Sequence, residues 1–161
     1  MKSGEIQVAE RHGSHLIKLT GDVRVTLCGS FDQYIDTILA RDGFVSVIID
    51  LREAEGLDST TLGLLAKISI QARHLFKVTP VIVSNNESIN RLLISMGFNQ
   101  VFDIREQAPV DDIELGQLPH VACSEEGMRD KVLDAHRVLM GLCDENRARF
   151  EGLVSALEKT P

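Results

Sequence analysis

The stretch Val45-Ser46-Val47-Ile48-Ile49-Asp50-Leu51-Arg52-Glu53-Ala54-Glu55-Gly56-Leu57-Asp58-Ser59-Thr60-Thr61-Leu62-Gly63-Leu64-Leu65-Ala66-Lys67-Ile68-Ser69-Ile70 decides the fold. Val45, Val47, Ile48, Ile49 and Leu51 form a short, β-branched apolar run, the pattern of a strand covered on both faces. Residues 52–57 read as an acidic turn. From Asp58-Ser59 onward the period becomes helical, with Leu62, Leu65, Ala66 and Ser69 on one stripe and Leu64 and Ile68 widening it. Asp and Ser are favoured helix N-caps. A hydroxyl at the mouth of a helix, just beyond the carboxyl end of a buried strand, stands where α/β folds place working groups.

Before this stretch, Glu5 to Glu10 alternates polar and apolar, Arg11 to His15 reads as a turn, and Leu16 to Val23 reads as a second strand, so the chain opens with a hairpin. Leu27, Phe31, Tyr34, Ile35, Ile38 and Leu39 mark an amphipathic helix that Arg41-Asp42-Gly43 ends. After the central helix, residues 78–83 form another buried strand with Pro80 tolerated at its start. Ser84 to Glu87 supply caps for a helix through Ile89, Leu92, Leu93 and Met96, closed by Gly97. Residues 100–104 give a last short strand. The order β-β-α-β-α-β-α-β implies crossover helices and a mainly parallel sheet.

Residues 105–123 hold Pro109, Gly116 and Pro119 without a sustained period and read as a linker. A long helical pattern follows the cap Ser124, with early acids Glu125 and Glu126. Its apolar positions are Met128, Val132, Ala135, Leu139, Leu142, Phe150, Leu153 and Leu157, near a heptad spacing once Asn146 is included. One helix or a pair broken at Cys143 to Asn146 both fit, as do packing back on the domain and docking on a partner.

The composition narrows the function. The chain has 161 residues, 43% hydrophobic, six Phe, one Tyr and no Trp, so the core is aliphatic. Net charge is −7, of which residues 1–110 carry −2 and residues 111–161 carry −5. No basic footprint for nucleic acid exists. No apolar run approaches membrane-spanning length and no signal peptide opens the chain, so a cytoplasmic protein is expected. Cys28, Cys123 and Cys143 are read as free, partly buried thiols. No Gly-rich phosphate loop occurs. Asp50 as a receiver-domain acceptor lacks its acidic pair and its Lys, and is read as a structural residue. His120 and Cys123 lack a second pair at zinc spacing, so no metal and no cofactor are expected. Ser59 with His74 as a nucleophile pair has no third member.

Asp58-Ser59-Thr60-Thr61-Leu62-Gly63 after an Ile-Ile-Asp-Leu strand resembles the Asp-Ser-(Ser/Thr)-Gly-Leu-Gly signature of the STAS-domain anti-sigma factor antagonists. Leu19-Thr20-Gly21-Asp22, Val81-Ile82-Val83-Ser84 and Met96-Gly97-Phe98-Asn99-Gln100-Val101-Phe102 support it. The resemblance covers about residues 5–105. The C-terminal segment adds a likeness to the longer type that controls secretion and biofilm formation downstream of a phosphotransfer protein.

The resemblance implies an α/β fold, a STAS-like mixed sheet of about five strands with crossover helices. The STAS-like domain spans 1–105, a linker 106–123 and a helical extension 124–161. It implies a non-enzymatic anti-sigma factor antagonist with three kinds of partner: an anti-sigma factor, a serine kinase of the histidine-kinase-like ATPase fold and a PP2C-type phosphatase. Ser59 becomes the phosphoacceptor, with Thr60 and Thr61 as rivals. Gly56, Leu57, Asp58, Ser59, Thr60, Thr61 and Leu62 become the partner-binding surface. Thr61 departs from the pattern's Gly. The other reading is a STAS module that binds a small molecule or nucleotide, or scaffolds another regulatory enzyme.

Overall fold

The computed structural model describes residues 2–108 and 114–160; the part of the expected linker at residues 109–113, Pro109 included, lies outside them. β1 (Glu5–Arg11) and β2 (Ser14–Val23) form the antiparallel hairpin, turned by His12 and Gly13 at positive φ. β2 alternates inward and outward residues along its whole length, as a strand with one covered face does. α1 (Cys28–Ala40) then crosses to β3 (Ser46–Asp50), which runs parallel to β2. Val45 stands outside this strand and is 54% exposed, because its backbone N–H bonds to Gly13 at the end of the hairpin rather than entering the ladder.

Residues 54–57 are not a turn. β4 (Ala54–Leu57) pairs in parallel with the end of β2 through a register shift at Gly21 and Asp22. Gly21 sits at φ +70°, and any Cβ there would strike the backbone oxygens of Lys2 and Ser3. α2 (Ser59–Phe76) follows, then β5 (Val81–Val83), α3 (Glu87–Ser95) and β6 (Asp103–Arg105). The last strand starts three residues later than its sequence suggests. Gly97, at φ +83°, restarts the chain in a 3-10 turn over Phe98–Gln100, and Phe98 and Phe102 stack in the core with ring centroids 5.4 Å apart.

The main sheet runs β6-β5-β3-β2-β1, the five strands expected, with β3, β5 and β6 parallel to β2. Two further strands escaped the sequence reading: β4, and β7 (Gly116–Gln117), a two-residue stretch of the linker that pairs with the outer edge of β1.

The helical extension is a pair, α4 (Glu125–Met140) and α5 (Asp144–Glu158), and it packs back on the domain against α2 and α1. Ser124 caps α4 by accepting from Gly127 N at 3.0 Å. The break at Gly141–Cys143 shifts the apolar register. Leu133, Ala135, His136 and Leu139 are buried on α4, and Asn146, Phe150 and Val154 on α5, whereas Leu153 faces out. Asn146 Nδ2 locks the pair by donating to the carbonyls of Met96 (2.8 Å) and Leu139 (2.9 Å).

Candidate functional site

Asp58 sits in extended conformation at the N-cap of α2, where a carboxylate suits both the free N–H groups and the dipole. One oxygen accepts from Thr61 N at 2.9 Å and from the Thr61 hydroxyl at 2.8 Å. The other accepts from Val25 N at 2.7 Å, tying the start of α2 to the turn ahead of α1. Thr61, where the family pattern has Gly, therefore adds a side-chain bond to the capping acid. Its hydroxyl also lies 3.6 Å from the buried Cys28 Sγ.

Three hydroxyls follow the cap. Thr60 is 5% exposed and Thr61 0%, while Ser59 is only half-buried. Gly56, Leu57 and Asp58 are half-buried beside it, and Leu62 points into the core. Glu53 and Glu55, the acids nearest in sequence, are engaged: Glu53 pairs with Lys18, and Glu55 accepts from Lys2 N at 2.8 Å. Asp50 is buried at the end of β3 and accepts from Arg52 N and Nε (3.0 Å) and Nη2 (2.9 Å). Burial opposes its ionisation, yet the Arg52 bonds outweigh burial and hold the carboxyl below its ordinary value.

The residue that sequence reasoning missed is His136. Its Nε2 lies 2.7 Å from Ser59 Oγ, across 77 residues of chain. Its Nδ1 lies 2.6 Å from the Val132 carbonyl one turn earlier on α4, and its ring meets Phe150 of α5 edge-on, 5.0 Å between centroids. His74, on the same helix as Ser59, is exposed in the last turn of α2 and takes no part.

Two further contacts seat α4 over the first turns of α2. Gly63 faces Ala135 so closely that a Cβ on Gly63 would lie 2.6 Å from the carbonyl carbon and the Cβ of Ala135 and closer still to its oxygen. Beside this contact runs a cleft of about 350 Å³ floored by an ionic junction. Lys67 of α2 bonds Asp32 (2.6 Å) and Asp36 (2.8 Å) of α1, and Lys131 of α4 closes on Asp32 as well. Burial disfavours the Asp32 charge, but the two lysines prevail and keep its carboxyl below the ordinary value. That contribution is present above the ordinary carboxylate pKa and is lost as pH falls through the depressed one, so this three-helix junction weakens in acid.

The thiols differ in reach. Burial pushes Cys28 up to about 12, with its Thr61 bond opposing, whereas Cys123 is exposed and Cys143 half-exposed. The thiolate is the nucleophile. Alkylation with iodoacetamide at pH 8 is therefore expected to modify Cys123 first and Cys28 only in denaturant; intact-mass and peptide analysis reads the order, and early Cys28 labelling contradicts it. Among the described residues, no group of three or more His, Cys, Asp or Glu is placed to hold a metal ion, and no helix is long and apolar enough to cross a membrane.

A central strand leads through a short acidic strand into a capped helix whose first residue offers a hydroxyl, on a mixed sheet opened by a hairpin. These features define an α/β module with a candidate site at the strand-to-helix corner. The chain belongs to the STAS domain family, whose model matches residues 5–109. No curated protein matches it.

Among solved structures it is similar to the anti-sigma factor antagonist SpoIIAA in its unphosphorylated form, with 12% identity and a TM-score of 0.55 over 64% of this chain and 89% of that one. It is similar to an anti-sigma factor antagonist from Mycobacterium paratuberculosis, with 23% identity and a TM-score of 0.54 over 65% and 87%. The Bacillus cell fate determinant SpoIIAA in its phosphorylated form matches at 12% identity and a TM-score of 0.54, over 63% and 92%. At these identities the likeness is one of fold. α4 and α5 lie beyond the family match.

Proposed function

We propose that this chain is an anti-sigma factor antagonist, without catalysis of its own, whose partner binding is switched by reversible phosphorylation of Ser59. The observation that carries this reading is the position of Ser59: first residue of a capped helix at the corner that carries the family signature, and as a residue less buried than Thr60 and Thr61. The fold likeness to SpoIIAA, recorded in unphosphorylated and phosphorylated forms, supports it. A phosphate would add about −1.5 to −2 charges at neutral pH. The helix N-terminus tolerates that charge, so the domain stays folded. Its effect falls on whatever is docked there, by desolvation and like-charge repulsion beside Asp58. The partners are then an anti-sigma factor, a serine kinase of the histidine-kinase-like ATPase fold and a PP2C-type phosphatase, in a cytoplasmic setting. Control of biofilm formation, as in the longer antagonists, is the finer form of this reading.

The test is to recover the chain from its own cells, identify bound proteins and map phosphate by mass spectrometry. Ser59→Ala is expected to hold the anti-sigma factor constitutively, and Ser59→Asp to weaken it at least tenfold, roughly 1.4 kcal/mol. Equal affinity of the two variants overturns the switch.

A further inference from the structure

The helix that carries Ser59 is already occupied. α4 lies across its first turns, and three independent contacts fix it there: Ser59 to His136, Gly63 to Ala135, and Asp32 to Lys131. None of the α4 side of these contacts falls within residues 5–109, the STAS match.

The hydrogen-bond directions follow from the chemistry of the groups. The Val132 carbonyl can only accept, so a His136 ring with a single proton carries it on Nδ1. Nε2 then offers a lone pair, and the Ser59 hydroxyl donates its proton to it. His136 is 1% exposed, so this acceptor has no water to turn to if the donor is lost.

We propose that the α4–α5 hairpin is an intramolecular competitor for the Ser59 face: docked, it masks Ser59 from phosphorylation, and a phosphate on Ser59 expels it. The inference rests on Ser59 being the phosphoacceptor. In the phosphorylation step a nucleoside triphosphate is the co-reactant. An Oγ–P bond forms, the bond from the γ-phosphorus to the β,γ-bridging oxygen breaks, and the nucleoside diphosphate leaves with that electron pair. The hydroxyl proton passes to a base of the kinase.

In the docked state that proton points at His136 and the approach to Oγ lies under α4. After transfer Oγ has no proton to donate, and three charged oxygens must fit between α2 and a helix held in backbone contact at Gly63. The two lysines at this interface, Lys67 and Lys131, are already engaged by Asp32 and Asp36. Linkage makes the equilibrium effects reciprocal: the factor by which docking disfavours the phosphorylated form is the factor by which phosphate weakens docking, while the rate of transfer is set separately by access to Oγ. A partner that reads the Ser59 face displaces the same hairpin.

The experiment uses the full chain with phosphoserine inserted at position 59 during translation, compared with the unmodified chain by amide hydrogen exchange. The expected result is exchange at least tenfold faster across Glu125–Met140 and Asp144–Glu158, with β3 and β5 unchanged. Unchanged or slower exchange in α4 overturns the proposal, and slower exchange would make His136 a phosphate ligand. In the second arm, full-length Ala135→Leu drives a larger side chain against Gly63. Labelled ATP and an extract of the source cells should then phosphorylate Ser59 at least tenfold faster than in the unaltered chain. An equal rate overturns the masking. His136→Ala should act in the same direction, and a slower rate would instead assign the imidazole as the base for transfer. Absence of any Ser59 phosphate in cells defeats the proposed function, whereas a docked α4 beside a phosphorylated Ser59 defeats only the hairpin competition.

Discussion

Gly63→Ala is expected to detach the α4–α5 hairpin. Two effects of opposite sign meet at this position. In a helix interior Ala is better than Gly by about 1 kcal/mol, so α2 itself gains. The new methyl, however, would lie 2.6 Å from the carbonyl carbon of Ala135 and nearer its oxygen. The obstacle is backbone within a helix, not the tip of a flexible side chain, so it cannot step aside without moving α4. Forced overpacking costs about 1–3 kcal/mol in ordinary cores, and here the Ser59–His136 bond and the Asp32–Lys131 pair lie on the same seam and go with it. Steric exclusion should win. Urea denaturation followed by far-UV circular dichroism should show an early transition for the hairpin, and amide exchange should place it in residues 125–158. A single transition shifted up by about 1 kcal/mol would mean that propensity had won and that the helices can separate slightly at no cost.

The second large effect is expected at Asp58. Asp58→Ala removes the cap of α2 and leaves Val25 N without its 2.7 Å acceptor. Loss of an N-cap costs about 1 kcal/mol, up to about 2. A backbone N–H stranded in a partly buried site adds about 1–3 kcal/mol. Together a loss of roughly 2–4 kcal/mol is expected. Asp58→Asn keeps one carbonyl oxygen and should fall between. Ser59→Ala, which strands one buried imidazole nitrogen but keeps the cap, should cost less than Asp58→Ala. Chemical denaturation of the three variants checks the order; Asp58→Ala as mild as Ser59→Ala would show that the acid acts on partners rather than on the fold.

The five main strands and the first three helices were legible because each rests on a local period: alternation in β2, a β-branched run in β3, an i, i+3, i+4 stripe in α1. The Asp58 cap was legible for the same reason, since a cap is a local event. β4 was not, because Ala54-Glu55-Gly56-Leu57 has a turn's composition and becomes a strand only through pairing with β2 across the bulge at Gly21 and Asp22. β7 exists only because the edge of β1 was open. The register of the extension failed in both helices: the heptad puts Val132 and Leu153 inside, but Leu133 and His136 of α4 and Val154 of α5 turn inward instead.

The site divided along the same line. Ser59 and its cap could be read, but its imidazole partner could not. His74 shares a helix with Ser59, yet fifteen residues at 1.5 Å each place it about 22 Å away. His136, far off in sequence, arrives because Gly63 lets α4 come to backbone contact. Nothing local distinguishes such a glycine from a weak point in a helix.

The small strand β7 has a further consequence. It fastens the chain to β1, and the Leu118 N–H adds a bond to Ile6. Val121 N donates to Ser30 Oγ at 2.7 Å on the way to the Ser124 cap. A hairpin that lets go of α2 therefore stays on a leash of residues 118–124, at most about 25 Å long. Within that radius its effective concentration is in the millimolar range. An external protein at micromolar levels thus contends with a rival about a thousandfold more concentrated. Its apparent dissociation constant is its intrinsic value divided by the fraction of chains with the hairpin open. Lengthening the leash, with no change to any contact on α2, would tune the threshold at which the outside protein takes over.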